Sequence, residues 1–179
     1  MAQPIQQTIY WTTYRNKYWE IYLAATKKGL CYVGGANERD ISFLGKLKNR
    51  NFSPSIKHHD DLFKTYKDQL DEYLEGNRNH FTFPIDIQGS AFQNLVWNAL
   101  NQIPYGKTAT YSDIAMRIQR PSAARAVGAA IGSNPLLIVI PCHRVIGKNG
   151  KLTGYRGGIL MKNQLLQLEN GQEFLDNKR

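Results

Sequence analysis

The chain has 179 residues, a formal net charge of +9, and 42% hydrophobic against 21% charged residues, which suits one domain or two small ones burying about two thirds of the unfolded surface. Such a composition excludes a disordered, low-complexity or repeat protein. No apolar run approaches the ~20 residues of a membrane span, and Met1 to Tyr10 lacks the order of a signal peptide, so a cytoplasmic protein without membrane contact is expected.

Residues Ile9 to Val33 are rich in Tyr, Trp, Ile and Val and break at Arg15 to Lys17 and Lys27 to Gly29, which predicts two or three antiparallel strands. Within them Cys31 reads as a small buried hydrophobe of a strand. His59 to Leu74 sets Leu62, Phe63, Tyr66, Leu70, Tyr73 and Leu74 on one helical face, with Asp60 and Asp61 in the first turn and Gly76 just past the end. Phe81 to Ile87 reads as a short strand or extended linker, since Pro84 argues against a central ladder position. The domain boundary falls near Gly89, giving a sheet-and-helix unit over 1–88 and a second unit over 89–179.

From Ser90 the period becomes helical: Ser90 is a candidate cap for a helix whose apolar face is Phe92, Leu95, Val96, Ala99 and Leu100, ending before Pro104. Ser112 is placed to cap a short helix over Asp113 to Ile118, Pro121 stops it, and Ser122 is placed to cap another over Ala123 to Ile131. Two short helices joined by a tight turn make a helix-turn-helix candidate. The second is built almost wholly of small residues around one cation, Arg125. Packing between helices is the structural alternative, but an isolated buried charge is costly, so this helix suits a groove that Arg125 enters.

Charge follows the same division. Residues 1–89 hold 12 Lys and Arg against 10 Asp and Glu, whereas 90–179 hold 11 against 4. In Ser90 to Gly158 the only acid is Asp113, set against Lys107, Arg117, Arg120, Arg125, Arg144, Lys148, Lys151 and Arg156; this is either a phosphate-binding footprint or a charged face that serves solubility, and charge alone does not choose between them.

The second cysteine, Cys142, follows the apolar run Leu136 to Ile140, which reads as a strand closed by Pro141, and is itself followed by His143 and Arg144. An imidazole or a cation lowers a thiol's pKa and makes it a nucleophile. Beyond lies the glycine-rich segment Thr153 to Gly158 with Tyr155 in it, able to close over a flat ring. Glu169, the only acid between Asp113 and Glu173, is a candidate orienter of His143. Cys31 and Cys142 form neither a disulfide framework nor a CxxC pair, and with His58, His59 and His80 no metal-ligand pattern appears, so neither metal nor cofactor is expected.

The chain resembles the O6-alkylguanine-DNA alkyltransferase family in Phe92-Gln93-x-x-Val96-Trp97, Ile103-Pro104-Tyr105-Gly106, Ala124-Arg125-Ala126-Val127-Gly128, Asn134-Pro135, Ile140 to Gly147 (IPCHRVIG) and Gly154-Tyr155-Arg156-Gly157-Gly158. Order and spacing agree over residues 84 to 169. The resemblance implies an α+β fold: a small antiparallel sheet with helix, ribonuclease-H-like, then a mostly helical, winged-helix-like domain with the helix-turn-helix. It implies a monomer that removes alkyl groups from O6-alkylguanine, and from O4-alkylthymine, in double-stranded DNA, each molecule reacting once.

By the same resemblance Cys142 is the acceptor, activated through a water by His143, which Glu169 orients, and Tyr111 rotates the phosphate and bonds a ring nitrogen. Arg125 fills the space left by the flipped nucleotide, flanked by Ala124 and Ala126; Asn134 is a hinge beside the helix-turn-helix, and Arg144 is grouped with them at the DNA. The carbonyls of Cys142 and Val145 read the exocyclic amine, while Tyr155 packs on the base and the Arg156 and Gly157 backbone faces its oxygen. Arg156 is bulkier than the Ser or Ala of some members, and Leu137 stands where some have proline; both bear on the alkyl size accepted. A thiol hydrolase using Cys142, His143 and Glu169 leaves the basic helix-turn-helix unexplained. A winged-helix regulator has no use for Cys142.

Overall fold

A computed structural model describes residues 8–35 and 55–172. Residues 1–7 of the N-terminal stretch, and Glu173, lie outside these. The Tyr- and Trp-rich segments form β1 (Thr8–Arg15), β2 (Glu20–Thr26) and β3 (Gly29–Gly34), antiparallel neighbours as expected. A fourth strand, β4 (Ser55–His58), runs parallel to β1 and gives the order β3-β2-β1-β4. Its four residues are too few to show a period. Cys31 lies on β3, half-buried in a small side cluster with Ile9, Ala24 and Tyr32 rather than in the main core.

Helix α1 (Lys64–Leu74) places Leu70 and Tyr73 in the core, beside Phe63 just before it. The expected helix began at His59 with Leu62 inward; instead a 3-10 turn over Asp61–Phe63 precedes α1, and Leu62 is exposed. A turn of three residues per revolution shifts the phase of the face it enters. The segment 81–87 is a linker along β3: Leu30 N donates to Pro84 O at 3.0 Å and Asp86 N to Leu30 O at 2.8 Å.

Ser90 caps α2 (Ala91–Asn101), in a capping box with Gln93. Trp97 is buried, its indole donating to Ala130 O at 2.9 Å, while Leu95, expected on the inner face, is exposed. The next helix, α3 (Tyr111–Arg117), is capped not by Ser112 but by Thr110, whose extended backbone aims its hydroxyl at Asp113 N. A Pro121–Ala123 3-10 turn takes up Ser122, so α4 (Ala124–Gly132) starts without a side-chain cap. Helices α2, α3 and α4 pack on one another, and α3 and α4 with the turn between them are the helix-turn-helix pair.

Leu136 to Ile140 is not a strand. Leu136 makes one bridge to Val33, after which the chain turns through Ile138 at φ 71° and enters a 3-10 turn over Cys142–Arg144. That φ is costly for a β-branched residue and persists only because the surroundings dictate it. Val145–Ile146 then pairs with Ala109–Thr110 in a two-stranded parallel sheet (β6 and β5), and α5 (Ile159–Glu169) closes the described chain. The main core is one cluster running from Tyr14 and Leu23 through Leu70 and Trp97 to Leu165, so the two halves share their interior.

Candidate active site

Cys142 sits at the start of its one-turn helix, 3% exposed. Burial raises its thiol pKa above the ordinary value, while the Asn134 hydrogen bond and the charges of Arg156 and Lys162 work against that rise. The resting sulfur is a protonated thiol that needs a base.

Glu169, at the end of α5, is the node behind it. Its side chain is fully enclosed and accepts from His143 Nε2 at 2.8 Å, Arg144 Nη2 at 2.8 Å, Tyr73 Oη at 2.5 Å and the Gly106 backbone at 3.0 Å. Burial alone would raise its pKa; the hydrogen bonds of His143 and Arg144 prevail and hold it down at about 2. Burial lowers the pKa of His143 below its ordinary value and outweighs the Glu169 hydrogen bond and charge, which raise it, with Arg144 acting on the side of burial. The imidazole is therefore neutral, and because a carboxylate only accepts, Nε2 carries the proton. Nδ1 is left with the lone pair, buried and without a hydrogen-bond partner among the described residues.

Three expected residues take different places. Arg144, grouped with the DNA contacts, is buried: it clasps Glu169 and donates to Ile103 O at 2.7 Å. An arginine beside a buried carboxylate is drawn inward, since the acid cannot stay charged there unpaired. Asn134, also grouped with the DNA contacts, is 1% exposed; its Nδ2 donates to Leu136 O, Ile140 O and, at 3.1 Å, Cys142 Sγ. Arg156 leaves the phosphate footprint because its guanidinium bonds to Tyr32, Val33, Asn134 and Pro135.

Of the other expected residues, Cys142, Tyr111 and Tyr155 meet at one cavity of about 460 Å³, lined by Tyr111, Gly128, Ile131 and Gly132 from the helix-turn-helix, by Cys142, and by Thr153 to Arg156. A single flat base fits such a volume. Tyr111 Oη bonds to Thr153 O at 3.3 Å, tying the first helix of the pair to the loop. Arg125, Ala126 and Ala129 form the exposed face of α4, with Ala124 half-buried at its start. Lys107, Arg117, Arg120, Lys148 and Lys151 are exposed.

Two members of the site were not anticipated. Tyr73 reaches Glu169 from the N-terminal half; a tyrosine on a buried helical face needs a partner for its hydroxyl, and that was the available signal. Lys162, fully buried in α5, donates to Val145 O at 2.6 Å and Thr153 O at 2.8 Å, its pKa pushed by burial down to about 8. Val145 O, expected to read the base amine, is thus already engaged by one donor and keeps a second lone pair. Among the described residues no three His, Cys, Asp or Glu side chains converge to hold a metal.

Residues 9–87 match the family model of the 6-O-methylguanine DNA methyltransferase ribonuclease-like domain, and residues 91–171 that of its DNA binding domain. The chain belongs to the 6-O-methylguanine DNA methyltransferase family. It is 52% identical over 163 residues to the inducible methylated-DNA–protein-cysteine methyltransferase of Bacillus subtilis, covering 90% of each. Its identity to the Methanosarcina acetivorans methylated-DNA–protein-cysteine methyltransferase is 40%, over 90% of this chain and 98% of that one. Among solved structures it is similar to the Mycobacterium tuberculosis O6-methylguanine methyltransferase, with a TM-score of 0.81 at 37% identity over 94% of this chain and 97% of that one. It is similar also to the same organism's protein in complex with DNA, with a TM-score of 0.79 at 38% identity over 90% and 93%.

Proposed function

We infer that this protein repairs DNA by moving the alkyl group of a flipped-out O6-alkylguanine onto Sγ of Cys142, irreversibly and once per molecule. The observation that carries the reading is a buried cysteine lining a base-sized cavity whose opposite wall is a helix-turn-helix. A base stacked in a duplex hides its oxygen, so the nucleotide must be extruded, at a cost of a few kcal/mol. Arg125 on the small-residue face of α4 enters the vacated space and offsets part of that cost, with Ala124 and Ala126 allowing close approach. The exposed lysines and arginines bind phosphates.

His143, oriented by Glu169, takes the Cys142 proton on Nδ1 through a water. The thiolate then attacks the alkyl carbon in line; the carbon–oxygen bond breaks and its electron pair stays on the guanine. The Tyr111 hydroxyl and the backbone of the Tyr155 to Gly157 loop stabilise that developing charge. The proton released by the thiol balances the one guanine regains. The product is a thioether, which has no carbonyl for water to attack, so the protein is consumed. The same chemistry serves O4-alkylthymine. We assign residues 1–88 as a supporting domain and 89–179 as the DNA-binding and transfer domain of a cytoplasmic monomer.

The test is mass spectrometry after incubation with a duplex carrying O6-methylguanine. One added methyl at Cys142, absent in Cys142→Ala, is expected; an unchanged mass or sustained turnover sinks the reading.

A further inference from the structure

The loop that walls the cavity is fastened to the N-terminal half of the protein by the side chain of Arg156. Arg156 Nη1 donates to Tyr32 Oη at 2.8 Å, and Nη2 to the carbonyls of Val33 at 2.8 Å, Asn134 at 3.0 Å and Pro135 at 3.2 Å. Its guanidinium also lies over the Tyr32 ring, 4.9 Å from the centroid. Two of these partners belong to β3 and two to the turn that leads into the Cys142 loop. Val33 is bound to that turn as well, through Val33 N to Pro135 O at 2.8 Å and Leu137 N to Val33 O at 3.1 Å. A planar fork with several donors is the side chain that can gather carbonyls from two segments at once; lysine is a single point.

The loop itself is bracketed by Gly154 at φ 44° and Gly158 at φ 90°, conformations that leave hinge freedom at both ends. Thr153 is held by Lys162 and Tyr111, whereas the stretch between the glycines is tied to β3 through Arg156. Room for the guanidinium comes from a residue far along the chain: a Cβ at Gly34 would lie 2.3 Å from Arg156 Nη1 and 2.8 Å from Tyr32 Oη.

We propose that Arg156 is a positioning residue whose side chain latches the base-facing loop to β3, so that the N-terminal sheet fixes the width of the alkyl pocket. This rests on the alkyl-transfer reading above. With the latch open, the loop swings on its two glycines; methyl transfer slows because base and thiol lose alignment, and bulkier alkyl groups gain room.

The test compares Arg156→Ala, Arg156→Lys and Gly34→Ala with the wild-type chain, using duplexes that carry O6-methylguanine or O6-benzylguanine. Gly34→Ala pushes on the two ends of the latch, the Arg156 guanidinium and the Tyr32 hydroxyl, and changes no residue of the loop itself. Single-turnover rates are read from alkylated Cys142, duplex affinity from fluorescence anisotropy, and folding from thermal melts. Arg156→Ala and Gly34→Ala are expected to slow methyl transfer by about tenfold to a hundredfold, the range for an angstrom-scale misplacement. Duplex affinity should stay unchanged, the benzyl-to-methyl rate ratio should rise, and Arg156→Lys should fall between. Wild-type rates and ratio in both variants, with or without a lower melting temperature, overturn the latch. Affinity falling in step with rate overturns it too, since that marks a phosphate contact. A wild-type protein that gains no methyl at Cys142 instead defeats the reading of function.

Discussion

Asn134 donates its side-chain amide to the sulfur of Cys142 at 3.1 Å while its carbonyl oxygen accepts from Leu136 N at 2.9 Å. One buried side chain therefore holds the start of the reactive loop and touches the nucleophile. In Asn134→Ala the groups it serves lose their partner, and each buried polar group so exposed to apolar surroundings costs about 1–3 kcal/mol. Chemical denaturation should register a loss of about 3 kcal/mol or more, and alkyl transfer should slow in protein that is still folded. A variant with wild-type stability would show that the amide is dispensable.

The Glu169 node predicts an asymmetry between two conservative changes. Glu169→Gln leaves the Arg144 guanidinium buried without its counter-charge, which typically costs about 3–5 kcal/mol. Tyr73→Phe removes one donor among several from the same carboxylate and should cost about 1 kcal/mol. Paired urea titrations decide it, and equal losses would mean that Arg144 finds another partner.

Acid should act on fold and chemistry together. His143 and Glu169 both bind protons less readily folded than unfolded, so their contribution is present at neutral pH. It declines as pH falls below the ordinary histidine value of 6.5, and again from 4.5 toward about 2. Melting temperature should follow these two steps, and Glu169→Gln should shrink the lower one, to which Asp60 and Asp113 also contribute. The transfer rate should hold through neutrality and fall with a midpoint below 6.5, as Nδ1 takes up a proton. His143→Gln should instead show a slower rate that climbs with pH, because the thiol, raised by burial, then ionises without a base.

Arg125 stands exposed on α4 and acts, in the reading above, only on the duplex. Arg125→Ala should slow transfer from O6-methylguanine in double-stranded DNA by about tenfold or more, the weight of 1.4 kcal/mol in extrusion. Reaction with free O6-benzylguanine, which needs no extrusion, should be unchanged. Equal losses on both would move Arg125 from the groove to the chemistry.

What the sequence discloses is local. Ser90 as a helix cap, the strand-rich stretch Ile9 to Val33, and the Cys142-His143 pair beside a glycine-rich loop are all short-range patterns, and each has its counterpart in the structure. Thr110 displaced Ser112 as a cap because either side chain satisfies the local rule and backbone geometry chooses between them. Leu136 to Ile140 looked like a strand because a buried loop and a buried strand are equally apolar. Partners distant in the chain are not named by it: a buried Tyr73 signals that its hydroxyl needs a partner but not that the partner is Glu169, 96 positions away, and nothing local joins Arg156 to Tyr32 across 124. Nor does a run of basic residues reveal which one, Arg144, is drawn inside by an acid.

The depth at which Cys142 lies has a bearing on time as well as on chemistry. A protein that reacts once must wait, unreacted, until a damaged base arrives, among oxidants and soluble alkylating agents that attack thiolates. A sulfur that is 3% exposed, protonated and hydrogen-bonded to Asn134 is a poor target for all of them. The burial that obliges His143 to act as a base thus also sets the shelf life of the reagent.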